Sequence, residues 1–520
     1  MDPVAGRVRP SARVRAAAVP RAAVRGGQRR PRQPADPARR AARSRHRGAE
    51  RGPGLAGGRH LPRRGAHRGA PAVIARTTPV TPVTSVAPAS APPSLPERLL
   101  DGGLIGDPYF DGEPRFRDGT LVVDDRDYDA MCRAAEAVVR VHDEAVRLVA
   151  DDESLLDTFF ELTPCQKLLW HESAASWHGY ARADIFDTPS GFVACELNSD
   201  TPTGHAETLA LAAVAREEHA GELASGALHD PNAGLATATL DMLEAYVQRR
   251  LGADAERTAG IIYPTDLTED LPLVRLLEGW LGARGYRVAS GAPQNLTTAP
   301  DGRAALFGEP CSLLVRHYKT DWWGERFPVW MGDAPFDAPL PLAGPLEVLA
   351  RAELGGHSVV VNPFGAVLTQ NKRMLAFLWE HLDRLSEEGQ ATVRAHIPET
   401  LRLESVHPAL LSVERESWVL KSDYGCEGDE VVAGWELSQA DWDRALGLAQ
   451  AGRWVVQRRF HPRSQPAPPR APRAVGVAGE AVNYGVYVVA GAAAGLYARV
   501  HVGATDRAAQ SVAVLVRRAP

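Results

Sequence analysis

No stretch of this 520-residue chain approaches the roughly 18 consecutive apolar residues needed to cross a bilayer, and its N-terminus lacks the apolar core of a signal peptide. A cytoplasmic protein with no membrane partner is expected. Cysteine is scarce. The five residues Cys132, Cys165, Cys195, Cys311 and Cys426 are scattered, odd in number and without a CxxC pair, which argues against a disulfide framework or a zinc knuckle. Buried free thiols are the expectation. Lysine is missing from the whole N-terminal region, the first being Lys167, although residues 1–76 hold 20 Arg against only Asp2, Asp36 and Glu50. That segment is +17 in a chain of net charge −5, so the remainder carries −22. A basic tail on an acidic body suggests nucleic acid as a partner. Arg, Ala, Gly and Pro, however, are what GC-rich codons supply in any frame, and a disordered extension that could lie upstream of the true start codon is the preferred reading. A nucleic-acid partner is therefore not expected.

What is present is ordinary globular composition, 44% hydrophobic and 24% charged, in a chain long enough for two or three packed units. A Pro/Thr/Ser/Ala-rich linker covers 77–97, so residues 1–95 read as disordered extension and linker, with folded structure starting near Pro96. Helical periodicity runs from 128 to 150. Residues 171–215 read as strand, turn, strand, polar loop and helix, with Asp187-Thr188-Pro189-Ser190-Gly191 as the turn. From Ala259 the pattern is βαβ: the run GIIYP, a helix over 269–283 stopped by Gly285, then YRVAS. It is a Rossmann-like half without a glycine fingerprint. CSLLVRHYKTDWWGE reads as a buried strand leading into an aromatic loop, and a long helix is expected over 371–385. WVLKSDYGCEGDEVV gives strand, glycine loop, strand; RWVVQRRF gives another strand. A Pro/Arg-rich insertion at 462–472 precedes a last strand pair in NYGVYVVAGAAAGLYARVHVG.

Two constellations carry chemistry. Residues i and i+2 of a strand share a face, so Glu196 pairs with Asn198 and Arg182 with Asp184, and a hairpin aims three oxygen ligands and a guanidinium at one place. Hard oxygen donors suit magnesium beside the terminal phosphates of ATP, and the planar fork of Arg182 suits a transferring phosphoryl group. Alone, the pattern equally fits the wet face of a hairpin, with Asn198 and Asp200 serving only the turn. The second constellation is Lys372, Lys421, the loop Tyr424-Gly425-Cys426-Glu427-Gly428, and Gln457. Glycines beside a lysine let backbone amides and an ammonium meet phosphate; a solvated strand end and a plain hairpin turn remain the alternative.

Taken together and in order, RADIF, ACELNSDTPTG, VRHYKTDWWGE, VVNPFGAVLTQNKRMLAFLWE, VLKSDYGCEG, VVQRRF and GLYARV resemble the synthetase domain of the glutathionylspermidine synthase family over about residues 105 to 515. The resemblance implies a mixed α/β (α+β) fold, a circularly permuted ATP-grasp with a Rossmann-like subdomain ahead of it. It divides the chain into 96–258 with the magnesium and phosphate site, 259–370 Rossmann-like, and 371–520 nucleotide-binding with a glycine lid. It implies Asp184, Glu196 and Asn198 as metal ligands and Arg182 and Arg499 as catalytic cations facing phosphate. Lys372, Lys421 and Gln457 would contact ATP with Gly425 and Gly428 in the lid, and Thr201, Thr203 and Asp321 would meet substrate.

The expected activity is an ATP- and Mg2+-dependent joining of a peptide- or glutathione-like carboxylate to a polyamine-like amine through an acyl phosphate. Asp321 or Glu207 could accept the amine's proton. The alternative is a nucleotide-binding module that has lost ligase activity. Two departures bear on the choice. Cys426 stands where the family's lid has arginine, so either Arg458, Arg459 or Arg499 replaces it or the acceptor differs, and Asp321-Trp322-Trp323 replaces the family's Trp-Glu-Trp-like group. No amidase-like segment precedes the synthetase region, since residues 1–95 contain no cysteine. His171, His178 and His205 flank the site without ligand spacing, Trp170 and Trp177 read as packing, and Cys195 reads as a core residue on the strand face opposite Glu196.

Overall fold

Thr188 to Gly191 reverse the chain because the Thr188 hydroxyl donates to Gly191 O (2.7 Å) and accepts from Ser190 N (3.2 Å). Gly191 completes the turn at φ +118°, a conformation that residues bearing a Cβ rarely adopt. The flanking strands Tyr180–Thr188 and Gly191–Asn198 pair antiparallel, as the sequence implied. The computed structural model describes residues 93–518 except 111, 174, 334–341, 426–429, 465–479 and 504–507. The expectations for the N-terminal extension, for Cys426, Glu427 and Gly428, and for most of the 462–472 insertion fall outside the described residues. The first described helix is Leu95–Asp101, where the Glu97 carboxylate accepts from Ser94 N (2.7 Å).

The hairpin forms one edge of a seven-stranded sheet that continues through Glu480–Val489, Ala492–Val502, Gln510–Arg517 and Phe116–Asp124, with Leu228–His229 also pairing on Gln510–Arg517. Alternation divides its residues. Ala181, Ala183, Ile185 and Leu197 join a core beneath the helix Asp125–Asp151, whose buried Met131, Ala135, Val138, His142, Val146 and Val149 recur every three or four positions. The intervening Arg182, Asp184, Glu196 and Asn198 are left for the opposite face.

A second sheet is wholly parallel, ordered Val359–Val361, Leu313–Arg316, Thr258–Ile262, Arg287–Gly291, and the helix Leu271–Ala283 makes the crossover between the last two. Val359–Val361, Leu313–Arg316 and Thr258–Ile262 are buried at every position, as coverage of both faces requires, whereas the edge strand Arg287–Gly291 is buried only at Gly291. A third sheet is antiparallel, ordered Thr400–Arg402, Trp454–Arg458, Trp418–Ser422, Val431–Ala433, and buries Trp418 and Trp454 with Trp442 of the helix Gln439–Leu448. The fold is thus mixed α/β. The long helix expected over 371–385 is shorter. It spans Arg373–Glu380 and gives way to a single 3₁₀ turn, Leu382–Arg384, because His381 leaves the helical conformation (φ −120°) to stack its ring on Phe377, with centroids 4.4 Å apart. Among the described residues no helix is long and apolar enough to cross a membrane.

One joint fastens the parallel sheet to the hairpin. The Asn362 side chain, directly after Val359–Val361, accepts from Gly179 N and Tyr180 N and donates toward the carbonyls of Tyr180, Ser199 and Asp200, all within 3.1 Å. Beside it Arg316, fully buried, pairs with the buried Asp200 at 2.6 Å and donates to Asn362 O and Tyr318 O. Asp200, read from sequence as a turn residue at most, is the anchor of this joint.

A second buried acid makes stability depend on pH. Burial, reinforced by the charge of the neighbouring Glu353 and a hydrogen bond to it, raises the Glu172 carboxyl far above the usual carboxylate range. The folded state therefore keeps this proton while the unfolded chain loses it. The contribution is fully present below the unfolded value and declines as pH rises toward the folded one, by at most about 1.4 kcal/mol per pH unit. Replacing Glu172 with Gln is expected to raise the thermal midpoint at pH 8 and to leave it unchanged at pH 4.5. Equal shifts at both pH values would refute the assignment.

Candidate functional site

The polar face of the hairpin is organised by its register. Arg182 stands opposite Asn198 and Asp184 opposite Glu196; on the other side Arg182 faces Tyr487 and Asp184 faces Gly485. Gly485 matters sterically, since a Cβ there would lie 2.7 Å from Cδ of Arg182. The guanidinium is free to lie along the strand, where its Nε and Nη2 donate to Asp184 (2.7 and 3.2 Å) and its Nη1 to Thr203 O (2.8 Å). Arg499, from two strands away, donates to Asp184 Oδ2 at 2.7 Å. Burial alone would raise the Asp184 carboxyl, yet Arg182 and Arg499 together hold it below its ordinary value. Asn483, opposite Arg499 in the register, brings its amide nitrogen to 3.5 Å from Asp184 Oδ2.

Cys195 does not lie in the core as expected. The register slips between Asp184 and Ile185, so that Glu196 opposes Asp184 but Ala194 opposes Ile185, leaving Cys195 as the extra residue of a β-bulge. Its side chain reaches the same cleft as Glu196, and its carbonyl accepts from Lys421 Nζ (3.3 Å) and Gln457 Nε2 (3.2 Å) of the third sheet. Lys372, also nearly buried, lies 3.7 Å from Glu196 Oε2, and its ammonium donates to Gly425 O. The strands Trp418–Ser422 and Trp454–Arg458 thus present Lys421 and Gln457 to the hairpin across a gap.

That gap is a cleft of about 980 Å3. Arg182, Asp184, Glu196, Asn198, Thr201, Thr203, Lys372, Lys421, Gly425, Gln457 and Arg499 all line it, although they are separated by up to some three hundred positions in sequence. Nine of its described lining residues are Lys or Arg and six are Asp or Glu, a balance that favours an anionic occupant. Its far end is walled by Pro264, Leu267 and His317, which follow the carboxyl ends of two parallel strands, the usual ligand position on such a sheet. Asp321 is not on the wall. The 3₁₀ turn Thr320–Trp322 directs its carboxyl inward, 3.6 Å from Lys319 Nζ, where burial raises its pKa, and Lys319 and Trp322 face the cleft instead. Of the two carboxylates considered as proton acceptors, Glu207 lines the cleft, 3.2 Å from the Arg115 guanidinium.

The donors on the hairpin are all oxygens: two carboxylates and the Asn198 amide, whose nitrogen donates to Glu196 Oε1 (3.2 Å) and so leaves its oxygen available. That set suits a hard divalent ion completed by phosphate and water rather than a closed protein cage. Among the described residues no cluster of three or more His, Cys, Asp or Glu able to hold a metal occurs. The buried rings of His178 and His205 are pushed down to about 4 and about 3, which leaves both neutral at physiological pH.

No family profile matches the chain, and no curated protein matches it by sequence. Similar solved structures include a glutathione synthetase-like effector from Globodera pallida in its apo form, at 11% identity and TM-score 0.46, with 81% of this chain and 94% of that one covered. Another is a candidate gamma-glutamylcysteine synthetase from Methylobacillus flagellatus, at 13% identity and TM-score 0.39, with coverage of 70% and 87%. Both scores lie below 0.5, and the functional argument rests on the residues of the cleft.

Sequence reading passed over Asn483, Gly485 and Lys319. The first two had a signal. In NYGVYV the alternate positions Asn483 and Gly485 interrupt what would otherwise be an apolar stripe, marking a strand face that meets something polar.

Proposed function

We propose that this chain is an ATP- and magnesium-dependent carboxylate–amine ligase of the ATP-grasp kind, similar in activity to glutathionylspermidine synthase. The observation that carries the reading is the convergence of Arg182, Asp184, Glu196 and Asn198 from one strand pair with Lys421 and Gln457 from a separate sheet and Lys372 from the start of the helix Arg373–Glu380 on a single cationic cleft. Phosphates of ATP would lie between them, with the lysines neutralising charge and Gly425 letting the lid backbone come close. Asp184, Glu196 and Asn198 would hold magnesium, which when bound would offset charge on the phosphates.

Arg182 and Arg499 are the groups that meet the transferring phosphoryl and the oxyanion that follows, because both guanidiniums sit on the cleft wall in fixed orientation. The γ-phosphoryl passes to a substrate carboxylate, giving ADP and an acyl phosphate; the amine then displaces phosphate to leave an amide, its proton accepted by a wall carboxylate such as Glu207. Arg459 is our choice to replace the guanidinium absent at Cys426. It lines the cleft stacked on Trp435, 4.1 Å from the ring centroid, whereas Arg458 is committed to Glu399 and Glu414.

The test is phosphate release from ATP and magnesium by the full chain, with glutathione, small peptides and amino acids crossed against polyamines and simple amines. Release that requires both partners, with a product lighter than their sum by one water, is expected. ATP binding without release for any pair would instead favour a nucleotide-binding module without ligase activity.

A further inference from the structure

Asn483 is 2% exposed, and its Oδ1 has no hydrogen-bond partner among the described residues, although the residue lines the cleft. A buried amide oxygen left unpaired is costly, and such a group in a native protein calls for an explanation, an ion or water among them. The amide orientation is set by its nitrogen, which lies 3.5 Å from Asp184 Oδ2, so the bare atom is an acceptor. Phosphate and carboxylate oxygens are acceptors themselves and cannot satisfy it. Arg182 turns its donors to Asp184 and Thr203 O, and the Arg499 bond runs to Asp184 Oδ2, so neither of these neighbours donates to Asn483 Oδ1. A hard cation is the complement of an unpaired amide oxygen beside a carboxylate.

We propose that Asn483 Oδ1 is a further oxygen ligand of the divalent cation, contributed by a strand nearly three hundred residues beyond the hairpin. The assignment rests on the nucleotide-binding reading above, and it extends the ligand set across the sheet from Gly191–Asn198 to Glu480–Val489. Its geometry also gives Asp184 a second task, that of fixing which face of the Asn483 amide is turned to the ion.

The experiment is titration of the full chain with Mn2+ in the presence of a non-hydrolysable ATP analogue, free Mn2+ being followed by electron paramagnetic resonance. Asn483→Leu should weaken Mn2+ binding by about tenfold or more. Asn483→Cys decides between a ligand and a merely structural amide. A thiolate ligand prefers a soft metal, so this variant should turn from Mn2+ toward Cd2+ and develop a sulfur-to-metal charge-transfer absorption that the parent chain, with its own Cys195 in the cleft, does not show. Absence of that band overturns the assignment whatever Asn483→Leu does, and leaves the ligase reading standing. Failure of the parent chain to bind Mn2+ with the analogue overturns both.

Discussion

With glutamine in place of Glu196, ATP-dependent phosphate release is expected to fall by about three orders of magnitude, some 4 kcal/mol of transition-state stabilisation, while the thermal midpoint stays nearly constant. The side chain is about a quarter exposed (28%), and its contacts are an amide at 3.2 Å and an ammonium at 3.7 Å. Neither partner is left bare by the change. Lys372 still donates to Gly425 O, and the glutamine oxygen still accepts from Asn198. What is lost is one negative charge where the metal would bind. Asn198→Ala should behave likewise. Steady-state assay beside a melting curve checks both, and near-normal turnover by either variant would remove the metal assignment.

Replacing Arg316 with methionine is expected to do the opposite, harming the fold wherever activity is measured. Arg316 is fully buried and Asp200 is 1% exposed, so truncating the cation strands a carboxylate that, among the described residues, retains the backbone and hydroxyl of Thr320. Breaking a buried pair in this way costs about 3–5 kcal/mol, a large part of the roughly 5–15 kcal/mol that holds a typical domain. Adding Asp200→Asn to the same chain should restore part of the loss by removing the stranded charge. Urea unfolding of the single and double variants measures this; a cost under about 1 kcal/mol for Arg316→Met would mean that water or a rearrangement reaches Asp200.

The legible parts of the fold were those governed by local rules. The turn at Thr188 to Gly191, the helix beginning near Tyr128 and the βαβ unit from Ala259 each announce themselves through residues within a few positions of one another. What was lost involves distant partners. His381 ends its helix because Phe159 and Phe377 offer its ring a place to pack, and no periodicity reports that. Strict alternation put Cys195 in the core, and a bulge visible only in the pairing with Tyr180–Thr188 turned it to the cleft. Asp321 had the right chemistry for an amine, but a tight turn aims it inward and brings Lys319 and Trp322 to the wall instead. Asn483 carries no motif at all; its meaning comes from the neighbours that the sheet assigns to it.

Those assignments impose an order of events on synthesis. Asp184 leaves the ribosome with Arg182 beside it, but Arg499, its other cation, follows 315 positions later, and Gly485 and Asn483 not much sooner. The hairpin is an exposed sheet edge until the Glu480–Val489 strand arrives to cover it. Nearly the whole chain must therefore be made before the cleft can exist, and the early-emerging hairpin must wait without a neighbour along its Tyr180–Thr188 edge. A chain ending anywhere between Asn198 and Glu480 would contain every residue of the Arg-x-Asp and Glu-x-Asn pairs and yet possess no site.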